Sequence, residues 1–475
     1  MKYQDRPLVQ ALQRFHNQKP VSFHVPGHKG GALSDLPTAV RQALAYDLTE
    51  LAGLDDLHEA TGAIKEAEDK LACLYGSERS FFLVNGSTVG NLAMLYATVQ
   101  PGDLVMVQRN AHKSIFNALE LTGANPVFLS PDWDGQTQTA GTVSLKTVKE
   151  ALTQYPDVKA AIFTTPTYYG IVNRDLRQII EVCHSRKIPV LIDEAHGAHF
   201  IAHDAFPKSA LELGADLVVQ SAHKTLPAMT MASFLHIRSK FIRTERVAHY
   251  LQMLQSSSPS YLMMASLDDA RYYAETYNEK DYESFQVYRN NLIQGLYNTP
   301  CVEVIETDDQ LKLLVRATGH SGYVLQEALE QQGIYPELAD LYQVLLVLPL
   351  VKARDEVCID DVAGKFKNAM DCLAKKEITS VRLNNYLSNS APSTVVYTAT
   401  QLHTMDKEWV SMQSATGKVA AEAIIPYPPG IPLLCAGECI NQDHIKQIYD
   451  LLVAGCRFQG AINRETKQVK VVLNR

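Results

Sequence analysis

No stretch of this sequence approaches the roughly 18 consecutive apolar residues that a helix needs to cross a bilayer, which argues against a membrane-spanning helix. A basic block is missing too. Lys and Arg number 44 against 52 Asp and Glu, for a net charge of −8. Such a chain is a poor candidate for sequence-independent nucleic-acid or membrane-surface binding, although it does not exclude a cationic substrate. Cysteine is sparse: eight residues, at 73, 183, 301, 358, 372, 435, 439 and 456, lie scattered along 475. That spacing reads as reduced thiols in the cytoplasm rather than a disulfide scaffold. Cys435 and Cys439 form a single C-x-x-x-C with no second pair beside it, so no zinc site is expected. The polar start, MKYQDRPLVQALQRFHNQ, lacks the apolar centre of a signal peptide. Internal repeats and low-complexity tracts are absent. What is present, 46% hydrophobic and 20% charged residues, excludes disorder, collagen and coiled coil and suits a soluble enzyme of two to four domains.

From about residue 80 the pattern alternates strand and helix. Seven apolar runs read as strands: SFFLVNG (80–86), LVMVQ (104–108), NPVFL, VKAAIFTTP (158–166), PVLIDEA (189–195), ADLVVQSAHK and MASFLHI. Short buried runs separated by helical patterns predict a mostly parallel seven-stranded sheet covered on both faces, within an α/β large domain. Functional groups are then expected at the carboxyl ends of the strands. SSSPS (256–260) breaks the pattern before a polar helical stretch. The expected division is an N-terminal segment (1–60), a large domain (61–297), a smaller α+β domain (298–389) and a C-terminal domain (390–475) holding the Pro-rich IIPYPPGIPLL.

Four segments carry chemistry. In SAHKTLPAMT (221–230), Lys224 follows a buried strand within apolar and hydroxyl-bearing surroundings. An amine there readily loses its proton and attacks an aldehyde, with Ser221 and His223 placed for a phosphate. The plain alternative is an exposed loop lysine. In VLIDEAHGAHF (190–200), Asp193 and Glu194 end an apolar strand, and a buried carboxylate needs a cation or hydrogen-bond partner. A pyridinium N–H is one such partner. The letters DEAH also occur in helicase-type ATPases. That reading requires a Gly-x4-Gly-Lys-Ser/Thr loop, which the sequence lacks. His196, His199 and His203 do not form H-E-x-x-H, so they are expected in the core or around the site rather than on a metal.

In LVNGSTVGN (83–91) a helix opens with Ser87 and Thr88 after a Gly turn, a cradle for phosphate or simply a helix cap. In RNAHKSIFNAL (109–119), His112 begins a helix directly after a strand. Its ring could stack on an aromatic cofactor, or it could cap the helix. In order along the chain these are a phosphate loop, a histidine, a strand-end acid and a strand-end lysine. Asp193 and Lys224 stand 31 residues apart, room for one helix and one strand. Together they describe a site for pyridoxal phosphate: anchor, stacking group, pyridinium partner and Schiff-base lysine.

Over nearly its whole length the chain resembles the Orn/Lys/Arg decarboxylase family of fold-type-I pyridoxal phosphate enzymes. The resemblance rests on FHVPGHKGG (23–31), DDLHEATGAIKEAE (55–68), NGSTVGN, RNAHKSI, TPTYYG (165–170), DEAHGAH, SAHKTLPAMT and IPYPPGIPLL…GE (425–438). The wing domain that precedes the large inducible members is missing, as in a short form. The resemblance implies that Lys224 carries the cofactor, Asp193 holds its ring nitrogen protonated and His112 stacks on the ring. Ser87, Thr88, Ser221 and His223 would carry the phosphate, and His196 counts among the cofactor residues. It implies decarboxylation of arginine, lysine or ornithine, with Lys224 and His223 as candidate proton donors. It also implies a homodimer or higher homo-oligomer with the site at the interface, where HVPGHKGG and YPPGIP line the channel. Glu422 and Asp56 are candidate acids for the substrate's distal cation. The rivals are an aminotransferase or other lyase on the same fold, for which Arg382 would bind the α-carboxylate, and a silent binding protein. The intact Asp193 and Lys224 argue against the last.

Overall fold

A computed structural model describes residues 5–355, 362–373, 391–427, 432–453 and 456–473. All seven expected strands are present: β1 (Arg79–Leu83), β2 (Leu104–Gln108), β3 (Asn125–Leu129), β4 (Ala160–Thr164), β5 (Val190–Asp193), β6 (Leu217–Gln220) and β7 (Ser233–Ile237). The chain divides into two compact units. One holds residues 1–98 and 183–279, the other 99–182 and 280–475.

In the first unit the strands run in the order β1-β7-β6-β5. β5 and β6 are parallel, with Asp193 opposite Val219, whereas β7 is antiparallel to both β6 and β1. The reversal has a local cause. Only one helical turn, Ala222–Thr225, stands between β6 and β7, too little for the crossover that a parallel neighbour requires. Every residue of β5, β6 and β7 is buried, which explains why these strands read as continuous apolar runs instead of alternating ones. Helix α1 (Pro7–Asn17) and helix α2 (Ala63–Tyr75) precede the strands, and α2 ends on Gly76 in the left-handed region. Helix α3 (Gly86–Thr98) follows β1. A Cβ at its Gly90 would lie 2.8 Å from side-chain atoms of both Leu83 and Val219. Only glycine therefore lets α3 pack this close to the sheet.

In the second unit β4, β2 and β3 are parallel, and an eighth strand, Ser393–Thr394, pairs antiparallel with β3. Helix α4 (Lys113–Thr122) connects β2 and β3, capped by His112 and closed by Gly123 at φ 70°. An antiparallel four-stranded sheet beyond residue 300, a three-stranded sheet nearer the C-terminus and two two-stranded sheets also belong to this unit. The first two supply the smaller α+β and C-terminal parts expected alongside the α/β sheet. The last part has its own core, formed by Met412, Ile424, Leu434, Ile448, Val469 and Val471. Among the described residues, no helix is long and apolar enough to cross a membrane.

Candidate active site

In the first unit, Asp193 is the last residue of β5 and Ser221 the first after β6, so the parallel pairing of these strands brings their carboxyl ends side by side. Asp193 is buried. Its carboxylate accepts from Asn91 Nδ2 at 3.0 Å and from the Ala195 backbone N–H at 3.2 Å. Asn91 comes from the buried face of α3, a polar residue where helix periodicity asks for an apolar one. A carboxylate held in this way can in turn accept from a cationic ring N–H.

Lys224 lies in the helical turn after Ser221, with its backbone N–H bound to the Ser221 carbonyl at 3.1 Å. Its Nζ is 2.9 Å from His196 Nε2. The expected amine and the DEAH histidine therefore meet. Ser221 is fully buried and begins its turn without capping it by a side-chain hydrogen bond. Its Oγ, like that of Thr225 one turn on, is a buried hydroxyl with no protein partner. Buried hydroxyls in that state require a ligand or water to be satisfied. Ser87, half-buried, and Thr88, exposed, open α3, whose first-turn amides have no partners within the helix. His223 turns its Nδ1 to the Ala232 carbonyl at 3.1 Å. This donor set fits pyridoxal phosphate: an amine, a buried acid, unsatisfied buried hydroxyls and a helix start.

The three histidines do not converge as metal ligands would. His196 meets Lys224, His199 packs edge-on against Phe200 and Phe206, and His203 pairs with Glu279 at 3.0 Å. Asp56 is half-buried and accepts from the His58 N–H at 2.8 Å. Its neighbour Asp55 accepts from the backbone N–H groups of Thr61, Gly62, Ile64 and Lys65, tying the DDLHEATG stretch to the start of α2. In HVPGHKGG, His28 closes a turn, bonded to Asp47 at 3.1 Å and to the Gly31 N–H at 3.2 Å.

The second unit carries His112 and Glu422. His112 Nδ1 accepts from the Ser114 N–H at 3.3 Å and lies 2.8 Å from Ser114 Oγ, so the capping geometry is realised. Glu422 is engaged by Lys470 Nζ at 2.7 Å. At the carboxyl ends of β2 and β4, Gln108 Nε2 and Thr164 Oγ1 are further buried atoms without protein partners. Arg109 follows Gln108 and grips Glu438 through two bonds, at 2.7 and 2.8 Å. Ser393 and the Cys435 N–H also bond to that carboxylate. Burial pushes Glu438 up, but the Arg109 guanidinium outweighs it and holds the carboxyl below its ordinary range. Sequence reasoning named neither Asn91 nor Arg109. A polar residue on an apolar helix face and a charge directly after an apolar strand were the available signals. Arg382 lies outside the described residues.

The sequence matches the Orn/Lys/Arg decarboxylase major domain over residues 6–299 and the C-terminal domain of the same family over 386–462. It is 46% identical over 480 residues to the uncharacterized protein YaaO of Bacillus subtilis, covering 98% of each chain. It is 33% identical to an arginine decarboxylase of the same organism, covering 99% of each. Among solved structures, the lysine decarboxylase LdcF of Francisella novicida superposes with a TM-score of 0.78 at 19% identity, covering 98% of this chain and 81% of that one.

Proposed function

The chain belongs to the Orn/Lys/Arg decarboxylase family, and from that premise we propose that it decarboxylates a basic L-amino acid, arginine first, with Lys224 as the reacting amine. The observation that carries this reading is the contact of Lys224 Nζ with His196 at 2.9 Å, next to the strand whose end holds the buried Asp193. Arginine comes first because a relative of matching length carries that name.

Pyridoxal phosphate, once bound, supplies the electron sink that accepts the pair released when the Cα–carboxylate bond breaks. The chain's own groups do the rest. Lys224 is the residue that would hold the cofactor, through its amine. His196 takes or returns a proton at Nζ. Asp193, fixed by Asn91, would hold a pyridine nitrogen in its protonated form, the better electron acceptor. Ser221 and Thr225 offer hydroxyls, and the start of α3 offers amides, to the phosphate. Ser87 and Thr88 add hydroxyls from that helix start, and His223 is counted with them. Lys224 is favoured over His223 as the donor to Cα, since His223 Nδ1 is directed to Ala232. The resemblance would give His112 a stacking role through its ring face. For the distal cation, Glu422 already neutralises Lys470, which leaves Asp56 as the proposed acid.

We further propose a homodimer or higher homo-oligomer of this chain, with the site at the interface. The supporting observation is the segment around HVPGHKGG, where Val21, Phe23 and Leu33 are 85%, 96% and 75% exposed. Large apolar side chains left this exposed along one segment are what a second copy covers.

The test is a product assay by mass spectrometry on L-arginine, L-lysine and L-ornithine in parallel, with added pyridoxal phosphate. An amine lighter than one of them by carbon dioxide is expected. A keto acid instead would replace this reading with an aminotransferase.

A further inference from the structure

Glu194 follows Asp193 directly, yet its side chain goes elsewhere. It is buried, and its carboxylate accepts three hydrogen bonds: from the Ala210 N–H at 2.7 Å, Ser209 Oγ at 2.8 Å and Gln220 Nε2 at 2.6 Å. Burial pushes its pKa up to about 7, against the opposing pull of these donors. The chain of bonds continues. Gln220 Oε1 is 3.2 Å from His236 Nε2, and His236 Nδ1 is 2.7 Å from Ser80 Oγ, which is 2.7 Å from Ser77 Oγ. Gln220, His236 and Ser80 are all fully buried, and Tyr75 stacks on the imidazole at 4.3 Å.

One charge orients the whole row. An ionised Glu194 has no proton to give, so in that state Gln220 presents its NH2 to Glu194 and its carbonyl to His236. His236 must then carry its proton on Nε2 and accept from Ser80 on Nδ1. Burial keeps that imidazole neutral, pushing its pKa down to about 3.

The row also joins the two strand ends of the site. Gln220 ends β6, one residue before Ser221 and four before Lys224. Glu194 begins the turn that carries His196, closed by the Gly197 N–H on the Glu194 carbonyl at 2.9 Å. That turn is wrapped on the Glu194 side chain, since a Cβ at Gly197 would lie 2.6 Å from Glu194 Cγ.

We infer that Glu194 is a positioning residue for the reaction: its charge, relayed through Gln220 to His236, sets the approach of the His196 turn to the Lys224 loop. This rests on the reading of Lys224 as the reacting amine. Polar rows of this kind fix geometry only when every member is satisfied, and a displacement of about 1 Å at a reacting group can cost about 10²-fold in rate.

The experiment uses the holoenzyme labelled with 15N-histidine, with the His236 signals assigned by their loss in His236→Asn. The wild type is expected to show the Nε2–H tautomer at pH 8.5, where Glu194 carries its charge. In Glu194→Gln the row must reverse: Gln220 flips and His236 moves its proton to Nδ1. The same variant should lose about ten- to a hundredfold in kcat with KM changed less than threefold. The exchange Glu194→Gln with Gln220→Glu returns the charge to the row one residue away, so the Nε2–H tautomer should return and kcat should recover at least tenfold over the single variant. An Nδ1–H tautomer in the wild type overturns the inference, even if Glu194→Gln does not fold. A folded double variant with the native tautomer but no recovery of kcat overturns the positioning role. A wild type that shows the Nε2–H tautomer but releases carbon dioxide from none of the three amino acids sinks the proposed function and leaves the row standing.

Discussion

Lys224 and Asp193 sit one residue type away from ordinary loop and strand positions, and their meaning comes from what lies against them. Lys224→Ala protein, incubated with pyridoxal phosphate and treated with borohydride, should carry no cofactor-derived mass, whereas wild type should. A retained label would move the reacting amine to another lysine. Asp193→Ala should lower kcat by about 10²-fold or more while cofactor still binds, and near-normal turnover would remove its role. Both residues were legible because a charge ending an apolar run is conspicuous. Asn91 and the partners of Glu194 were not, because their meaning depends on contacts between 15 and 102 residues away in sequence. Glu68 shows the same limit. It is buried on α2 with one oxygen accepting the Phe82 N–H at 2.9 Å and the other without a partner. Burial pushes its pKa up to about 8 from 4.5. The folded state thus holds a proton that the unfolded chain releases, so this residue's contribution falls as pH rises from about 4.5 to about 8. Glu68→Gln keeps the acceptor and removes the titration. Its Tm should overtake that of wild type as pH is raised from 5 to 8.5; parallel Tm curves would mean that Glu68 does not titrate in the fold.

Whole elements were the best-read level. Seven strands were visible as buried β-branched and aromatic runs. The antiparallel turn of β7 and the two-residue strand Ser393–Thr394 were not, because direction depends on the length and path of a connection and pairing depends on a distant partner. Helix α4 shows how two readings of one residue can both have a physical basis. His112 caps it through Nδ1, which uses the edge of the imidazole and leaves the role of the ring face as a separate question. Asn is an efficient N-cap, so His112→Asn should preserve Tm, while Ala at this position should cost about 0.5–2 kcal/mol. If the ring also contacts the cofactor, the Asn variant should lose at least about tenfold in kcat with its stability intact. Unchanged kcat in a stable Asn variant would reduce His112 to a cap.

At the scale of the molecule, the chain folds into two compact units yet leaves an apolar stretch in water. Val21, Phe23, Val25, Leu33, Leu36 and Val40 are all exposed within some twenty residues. The segment is held in shape by the His28–Asp47 pair and the turn onto Gly31 rather than by burial. Burying apolar surface is worth about 25 cal/mol per Å², so a conformation that keeps Phe23 in solvent is expected where another surface receives it. A second copy is the partner proposed here, and it accounts for the resemblance's dimeric site. Phe23→Asp combined with Val21→Asp should shift the protein towards monomer in light scattering at micromolar concentration, without lowering the Tm of the monomeric fold. Decarboxylation should fall with the dimer fraction and recover at high protein concentration, since a site completed by the partner is lost by dilution and regained by mass action. If the double variant stays dimeric, the interface lies elsewhere on the chain. If it becomes monomeric at full activity, each subunit carries a complete site of its own.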